Sequence, residues 1–293
     1  MSISEIWARS ELDSLLCCAA LREAGIESEI EFVNPLDVQC GSARPPVKSW
    51  MLNLPGVDTE RHFDRNQWSD DMSSTSSETA LEQLLGSLSG SVPKDRFLPW
   101  IPELKRWHRR DYVGPEIQNP SAVHSLAVLC DPMTGLGRSH DFIVSNYFFL
   151  LDLVEHLRVM TPESVLQLPD VQERMDILRQ KRYLYEDQFK RTLQIRGKLL
   201  VQDMRDETVI YPGHPLWRFN DQPDASACLV MGWDKQRKKI SLTLLAGLQY
   251  NGPHHAGRLM HALGGGGDRY QAVAQIFPEK LDESVQTLMT AFC

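Results

Sequence analysis

The chain contains no window of 18 or more apolar residues, although 42% of its 293 residues are hydrophobic, so no segment reads as a membrane-spanning helix. Its start, Met1-Ser2-Ile3-Ser4-Glu5, lacks the basic and apolar regions of a secretory signal, and the expectation is a cytoplasmic protein. None of the six cysteines, at positions 17, 18, 40, 130, 228 and 293, stands in a Cys-x-x-Cys pair. Most have apolar neighbours, which speaks for reduced, packed thiols over disulfide staples or zinc ligands. Positive charge is also in short supply, 31 Lys and Arg against 39 Asp and Glu, for a net charge of −8. A general attraction for duplex DNA or an anionic membrane is excluded, so a phosphate ligand would have to be held by local donors. No internal repeat is visible.

What the chain does have is a run of four glycines, Gly264-Gly265-Gly266-Gly267, followed by Asp268 and Arg269. It lies between an amphipathic stretch, His254 to Leu263, and a strand-like one, Tyr270 to Phe277. Glycine gives up more backbone freedom on folding than any other residue, so such a run marks a close backbone approach or a turn through positive φ. Free amides there could hold a phosphate, with Arg269 assisting, or the run is a connector. Asp268 repels a phosphate unless a metal or Arg269 compensates it.

The N-terminal part reads as the start of a β-α-β pattern with a parallel sheet. Ile3 to Trp7, Glu29 to Val33 and Trp50 to Leu54 are strand candidates, and Leu12 to Ala24 has helical apolar spacing ended by Gly25. Asp70 to Glu78 reads as a polar loop. Helical spacing returns in Glu78 to Leu88, Ser121 to Cys130, Phe142 to Met160 and Asp170 to Ile195, with Phe148-Phe149-Leu150-Leu151 as core. Past Gly197 the period changes, and Lys198 to Met204, Glu207 to Tyr211, Ala227 to Trp233 and Lys239 to Leu245 read as strands before a last helix, Asp282 to Phe292. Two domains follow, 1–190 and 191–293. Lys181-Arg182 and Lys190-Arg191 read as a solvated face and His254-His255 as helix-start or cap residues.

Two acidic clusters fall where a sheet-based phosphoesterase places metal ligands, at carboxyl ends of strands: Glu11-Leu12-Asp13 and His62-Phe63-Asp64. Manganese or magnesium takes several oxygen ligands, and two such ions can clamp both oxygens of a phosphoryl transfer. The ordered set of Arg9-Ser10-Glu11-Leu12-Asp13-Ser14, Glu31-Phe32-Val33-Asn34-Pro35, Asn53-Leu54-Pro55, His62-Phe63-Asp64-Arg65-Asn66, Thr134-Gly135-Leu136-Gly137-Arg138, Ser145-Asn146-Tyr147, Leu168 to Arg174 and the glycine run resembles the DHH phosphoesterase superfamily. More narrowly it resembles the bacterial exopolyphosphatase-related proteins, over nearly the whole chain. The resemblance implies an α/β protein: an N-terminal catalytic-type domain with a parallel sheet, a connecting helix, a smaller C-terminal α/β substrate-binding domain, and an active site in the cleft between them. It also implies manganese or magnesium.

Carried over residue by residue, the family's Asp-x-Asp becomes Glu11-Leu12-Asp13. Its Asp-His-His becomes Asp64-Arg65-Asn66, and a later pair of aspartates becomes His108-Arg109-Arg110-Asp111. The glycine run ends in Asp268 instead of histidine, and Gln249 to His255 lacks the family's arginine. The resemblance thus gives Glu11, Asp13, Asp64 and Asp111 as catalytic positions, Glu11, Asp13 and Asp64 as metal ligands, and Gly264 to Gly267 with Arg269 as substrate-binding. Arg65, Asn66 and His108 weaken the metal site, Arg65 by placing a fixed cation beside Asp13 and Asp64. Two readings stand. One is a weakly active or inactive relative serving as a binding or partner module. The other is an active single-metal phosphoesterase on polyphosphate, short oligonucleotides or dinucleotides, with His62 or His108 as substitute ligand. The expected partner is a phosphate-bearing small molecule or short nucleotide, with self-association or pairing with an active relative beside it.

Overall fold

The computed structural model of the chain describes residues 5–39, 41–55, 61–64, 78–88, 90, 92–138, 142–234, 236–250, 252–267 and 269–292. It divides into two compact units: Met1–Trp107 with Ser121–Leu178, and His108–Pro120 with Arg179–Cys293. In chain order the first stretch runs β1 (Ile6–Ala8), α1 (Leu12–Glu23), β2 (Ile30–Phe32), α2 (Pro35–Gln39), β3 (Trp50–Leu52), β4 (His62–Phe63), α3 (Ala80–Ser87), α4 (Lys94–Phe97) and α5 (Ile101–Arg109). Then come α6 (Gly114–Gln118), α7 (Ala122–Cys130), α8 (Asn146–Val159), α9 (Pro162–Val165) and α10 (Pro169–Thr192). The rest is β5 (Leu193–Arg196), β6 (Leu199–Asp203), β7 (Ala227–Trp233), β8 (Ile240–Ala246), α11 (Ala256–His261), β9 (Gly266–Gly267), β10 (Gln271–Ile276) and α12 (Leu281–Phe292).

The first unit holds a four-stranded sheet of order β2-β1-β3-β4, parallel throughout, as the sequence pattern implies. Helix α1 is buried from Leu12 to Leu21 on every side, which its sequence explains: Leu, Cys and Ala fill positions where a surface helix would turn charges outward. It packs against α3, α7 and α8. Its amino end, at the carboxyl end of β1, is thereby fixed in the interior.

The second unit is built on a six-stranded sheet, β5-β6-β7-β8-β10-β9, with β6 and β7 parallel and every other pair antiparallel. Leu199, Val201, Leu229, Leu242, Leu244 and Ala274 on one face bury against Met260 of α11 and Leu288 and Phe292 of α12. The excursion 108–120 belongs to this unit through Arg110, whose guanidinium donates to the Ala246 carbonyl at 3.0 Å and to Gln271 Oε1 at 3.2 Å. The Arg110 carbonyl accepts from Gln249 N–H at 3.0 Å.

Several expectations are corrected. Glu207 to Tyr211 is not a strand, because buried Gln188 of α10 takes over its backbone partners: it donates to the Val209 carbonyl at 2.6 Å and accepts from Tyr211 N–H at 3.0 Å. The helix assigned to Asp170 to Ile195 ends at Thr192, and 193–196 turns back on 199–202 as a two-stranded ladder through a turn at 197–198. Residues 142–145 lie before α8, whose start is set by the Ser145 hydroxyl capping Phe148 N–H. Phe149 and Leu150 are core, but Phe148 is 61% exposed. The polar loop assigned to 70–78 falls, but for Glu78, outside the described residues. Among the described residues no helix is long and apolar enough to cross a membrane.

Candidate functional site

The acids of the two clusters stand at the carboxyl ends of β1 and β4, the expected place, and the Asp13 oxygens are already employed. Asp13, 1% exposed in the first turn of α1, accepts from Leu81 N–H at 3.1 Å through Oδ1. Its Oδ2 accepts from Ala80 N–H at 3.1 Å and from Asn53 Nδ2 at 3.2 Å. Ala80 and Leu81 open α3, where backbone amides have no intrahelical acceptor and the helix dipole favours an anion. The remaining donors of that turn are met as well. Thr79 Oγ1 accepts from Glu82 N–H at 3.1 Å, Glu82 returns by accepting from Thr79 N–H at 2.9 Å, and Gln83 N–H reaches the Thr79 carbonyl at 3.2 Å. Asp13 therefore completes the amino-terminal cap of a helix 67 to 68 residues further along the chain.

Asn53, at the carboxyl end of β3, holds this junction together. It is 4% exposed and sits at φ +51°, a conformation asparagine tolerates better than most residues. Its N–H extends the β3–β4 ladder to the Phe63 carbonyl at 2.8 Å, and its amide donates also to Ser14 Oγ at 3.2 Å. The Ser14 hydroxyl in turn donates to the Leu52 carbonyl at 3.4 Å. A carboxylate in place of the Asn53 amide would face Asp13 as a like charge. The sequence names Asn53 only as part of a motif, and its donor role comes from residues 39 to 40 positions away.

The neighbouring candidates are also tied to protein partners. Glu11, 7% exposed, pairs with Arg9 Nε at 3.2 Å. Asp64 is 4% exposed, and its carbonyl accepts from Gln83 Nε2 of α3 at 3.2 Å. His62 Nε2 donates to the Leu54 carbonyl at 2.7 Å, so that nitrogen is not available to coordinate. Arg65 and Asn66 lie outside the described residues. His108 and Asp111 belong to the second unit, where Asp111 accepts from Gln249 Nε2 at 3.2 Å. The structure thus gathers Asp13, Asn53 and Asp64 around the first turns of α3.

A manganese or magnesium ion demands oxygen lone pairs directed at one point. Among the described residues no three His, Cys, Asp or Glu side chains are grouped to hold a metal ion. Asp13 already accepts three hydrogen bonds from α3 and Asn53, which leaves about one of its carboxylate's lone-pair sites for any further bond. The set of described residues does not match a two-metal centre.

The glycine run is likewise absorbed into its fold. Gly264 (φ +78°) and Gly265 close α11 by donating to the His261 carbonyl at 2.9 Å and the Met260 carbonyl at 2.8 Å, so these two amides are not free for a phosphate. Gly266 and Gly267 form β9 against Val273 and Ala272 of β10. A Cβ on Gly265 would stand 2.0 Å from the Val273 carbonyl oxygen. Close strand packing accounts for glycine there. Arg269 donates to the Gly252 carbonyl at 3.0 Å, and Asp268 is outside the described residues. His255 Nδ1 accepts from Arg258 N–H at 3.4 Å, the helix-start role expected for that pair.

The described cysteines 17, 18, 130 and 228 are free and buried. Burial pushes the Cys18 and Cys130 thiols up to about 12 and Cys228 up to about 11, so none is poised as a nucleophile.

No family model and no curated protein matches the sequence. Among solved structures the chain is similar to the pGpG-specific phosphodiesterase PggH from Vibrio cholerae, with a TM-score of 0.77, 24% identity and 98% of each chain covered. It is also similar to RecJ from Thermus thermophilus in complex with Mn2+, with a TM-score of 0.47 and 12% identity, over 98% of this chain and 52% of that one. The chain has the phosphoesterase fold that its motif order implies, with a parallel sheet in one unit and a smaller α/β unit after it.

Proposed function

We propose that this chain is a member of the DHH phosphoesterase superfamily that binds a phosphodiester-linked dinucleotide of the pGpG class without hydrolysing it through a two-metal centre. The observation that carries this reading is the Asp13 carboxylate, both of whose oxygens accept from the α3 amides and Asn53. A residue doing that work has little lone-pair capacity left for a divalent ion, and changing one ligating or supporting group already costs about 10- to 100-fold in metal affinity or activity. The choice of ligand rests on the full-length likeness to a pGpG phosphodiesterase. Manganese or magnesium, where a relative uses it, supplies Lewis-acid charge and an activated water. In this chain Asp13 caps α3 and Asn53 donates to it as a neutral partner.

The test separates binding from turnover. Purified protein is titrated with pGpG in EDTA by isothermal calorimetry, and pGpG, a short oligonucleotide and polyphosphate are followed chromatographically with manganese and with magnesium. Saturable binding of pGpG in EDTA with no turnover is the expected result. Metal-dependent loss of any of the three substrates, abolished by Asp64→Asn, would overturn the non-hydrolytic reading. Absence of binding at about 1 mM pGpG, where an interaction is worth only about 4 kcal/mol, would overturn the choice of ligand.

A further inference from the structure

Phe148 lies on α8 beside buried Phe149 and Leu150, yet it is 61% exposed. It is not isolated. Its ring meets Tyr147 edge to face at 5.6 Å, and Tyr147 meets Phe32 of β2 edge to face at 5.9 Å. The Tyr147 hydroxyl donates to the Ile30 carbonyl at 3.0 Å, fixing this aromatic row against the edge strand of the parallel sheet. Phe32 then forms one wall of a cavity of about 380 Å³, shared with Trp7, Glu5, Glu29, Glu31 and Asp37. The described lining has four carboxylates and no Lys or Arg. Trp7 is oriented by its indole N–H, which donates to Glu5 Oε2 at 2.8 Å. The row and the cavity are electrostatically continuous: after burial, Glu31 and Glu29 are what raise the Tyr147 phenol above its ordinary 10.0.

We infer that this aromatic row and acid-lined cavity form a docking surface for an arginine-bearing segment of a partner protein. The guanidinium enters the cavity against Trp7 and Phe32, and an adjacent apolar side chain covers Tyr147 and Phe148. Charge complementarity selects a basic occupant, and the aromatic walls select arginine among bases, because its weakly hydrated plane stacks on rings while its fork meets carboxylates. The exposed Tyr147–Phe148 ridge selects a peptide over a free cation, since a small cation would leave that apolar surface in water. None of these residues belongs to the Asp13–α3 junction, so the inference stands apart from the proposed function.

Fluorescence anisotropy with the labelled hexapeptide GLRLRG, on the full chain, tests it. The double variant Glu29→Gln/Glu31→Gln is expected to weaken binding about tenfold, the equivalent of about one desolvated charge contact, and Phe148→Ala about threefold. The lysine peptide GLKLKG is expected to bind several-fold more weakly. All three replaced side chains are exposed, so circular dichroism and melting temperature should match the parent. Equal affinity of parent and variants, displacement by spermidine as tight as peptide binding, or no saturable binding at about 1 mM peptide would each overturn the inference.

Discussion

The carboxylate junction of the first unit and the glycine hairpin of the second both lie in motifs that resemble a phosphoesterase pattern, and both help build the fold, by opposite physical means. At the junction the useful property is charge: Asp13 places an anion where the α3 amides and dipole call for one. At the hairpin the useful property is absence, since β9 can lie on β10 only because Gly265 carries no side chain toward Val273. A motif position can therefore be held by the demands of the fold as well as by chemistry. Asp13 is held by its hydrogen bonds and Gly265 by strand packing.

Breaking the junction should have the largest effect. Asp13→Ala leaves Ala80 and Leu81 N–H and the Asn53 amide buried without their acceptor, and should cost about 3–4 kcal/mol in urea unfolding. Asp13→Asn should be milder but still destabilising, because the retained amide oxygen can serve only part of the cap and brings two donors of its own. If Asp13→Ala proves neutral, the structural reading of this carboxylate fails.

The hairpin offers a paired measurement. Gly265→Ala should cost about 2–3 kcal/mol through overpacking against the Val273 carbonyl. Gly266→Ala, whose Cβ would meet nothing within 4 Å, should stay within about 0.5 kcal/mol. Equal costs at the two positions would mean that the run is selected by something other than strand packing. Arg110→Ala, which removes the bonds to Ala246 and Gln271, should cost about 1–2 kcal/mol and mark the tie of 108–120 to the second unit.

The smallest expected effect concerns charge in the second unit. The Arg205 guanidinium beside Asp203 holds that carboxyl below its ordinary 3.8. A depressed folded value means stability that is present above about pH 3.8 and lost as pH falls through the lower folded value. The two side chains are 27% and 30% exposed, so water screens the pair and Asp203→Asn should flatten the acid limb of the stability profile by only about 0.3 kcal/mol. An unchanged profile in this variant would remove the pair from the account of acid stability.

The architecture was largely legible because it follows from local pattern. Short strands Ile30 to Phe32 and Trp50 to Leu52, coming after a helix whose first ten residues are buried, fit the β-α-β pattern of a parallel sheet, and Ala227–Trp233 carries its apolar residues in strand order. The failures share one cause. Residues 207–211 have strand-like side chains, but Gln188 engages the Val209 carbonyl and the Tyr211 N–H. Phe148 reads as core from its neighbours, yet the helix turned it out.

The sequence by itself determined the parallel sheet of the first unit, the strand-rich character of the second, and the order of motifs that resembles a phosphoesterase, because each depends on residue type at short spacing. Tertiary structure alone decided what Asp13 and Asn53 do. A carboxylate binds a metal or caps a helix according to which donors surround it, and here those donors arrive from β3 and α3, 40 and 67 to 68 residues away along the chain.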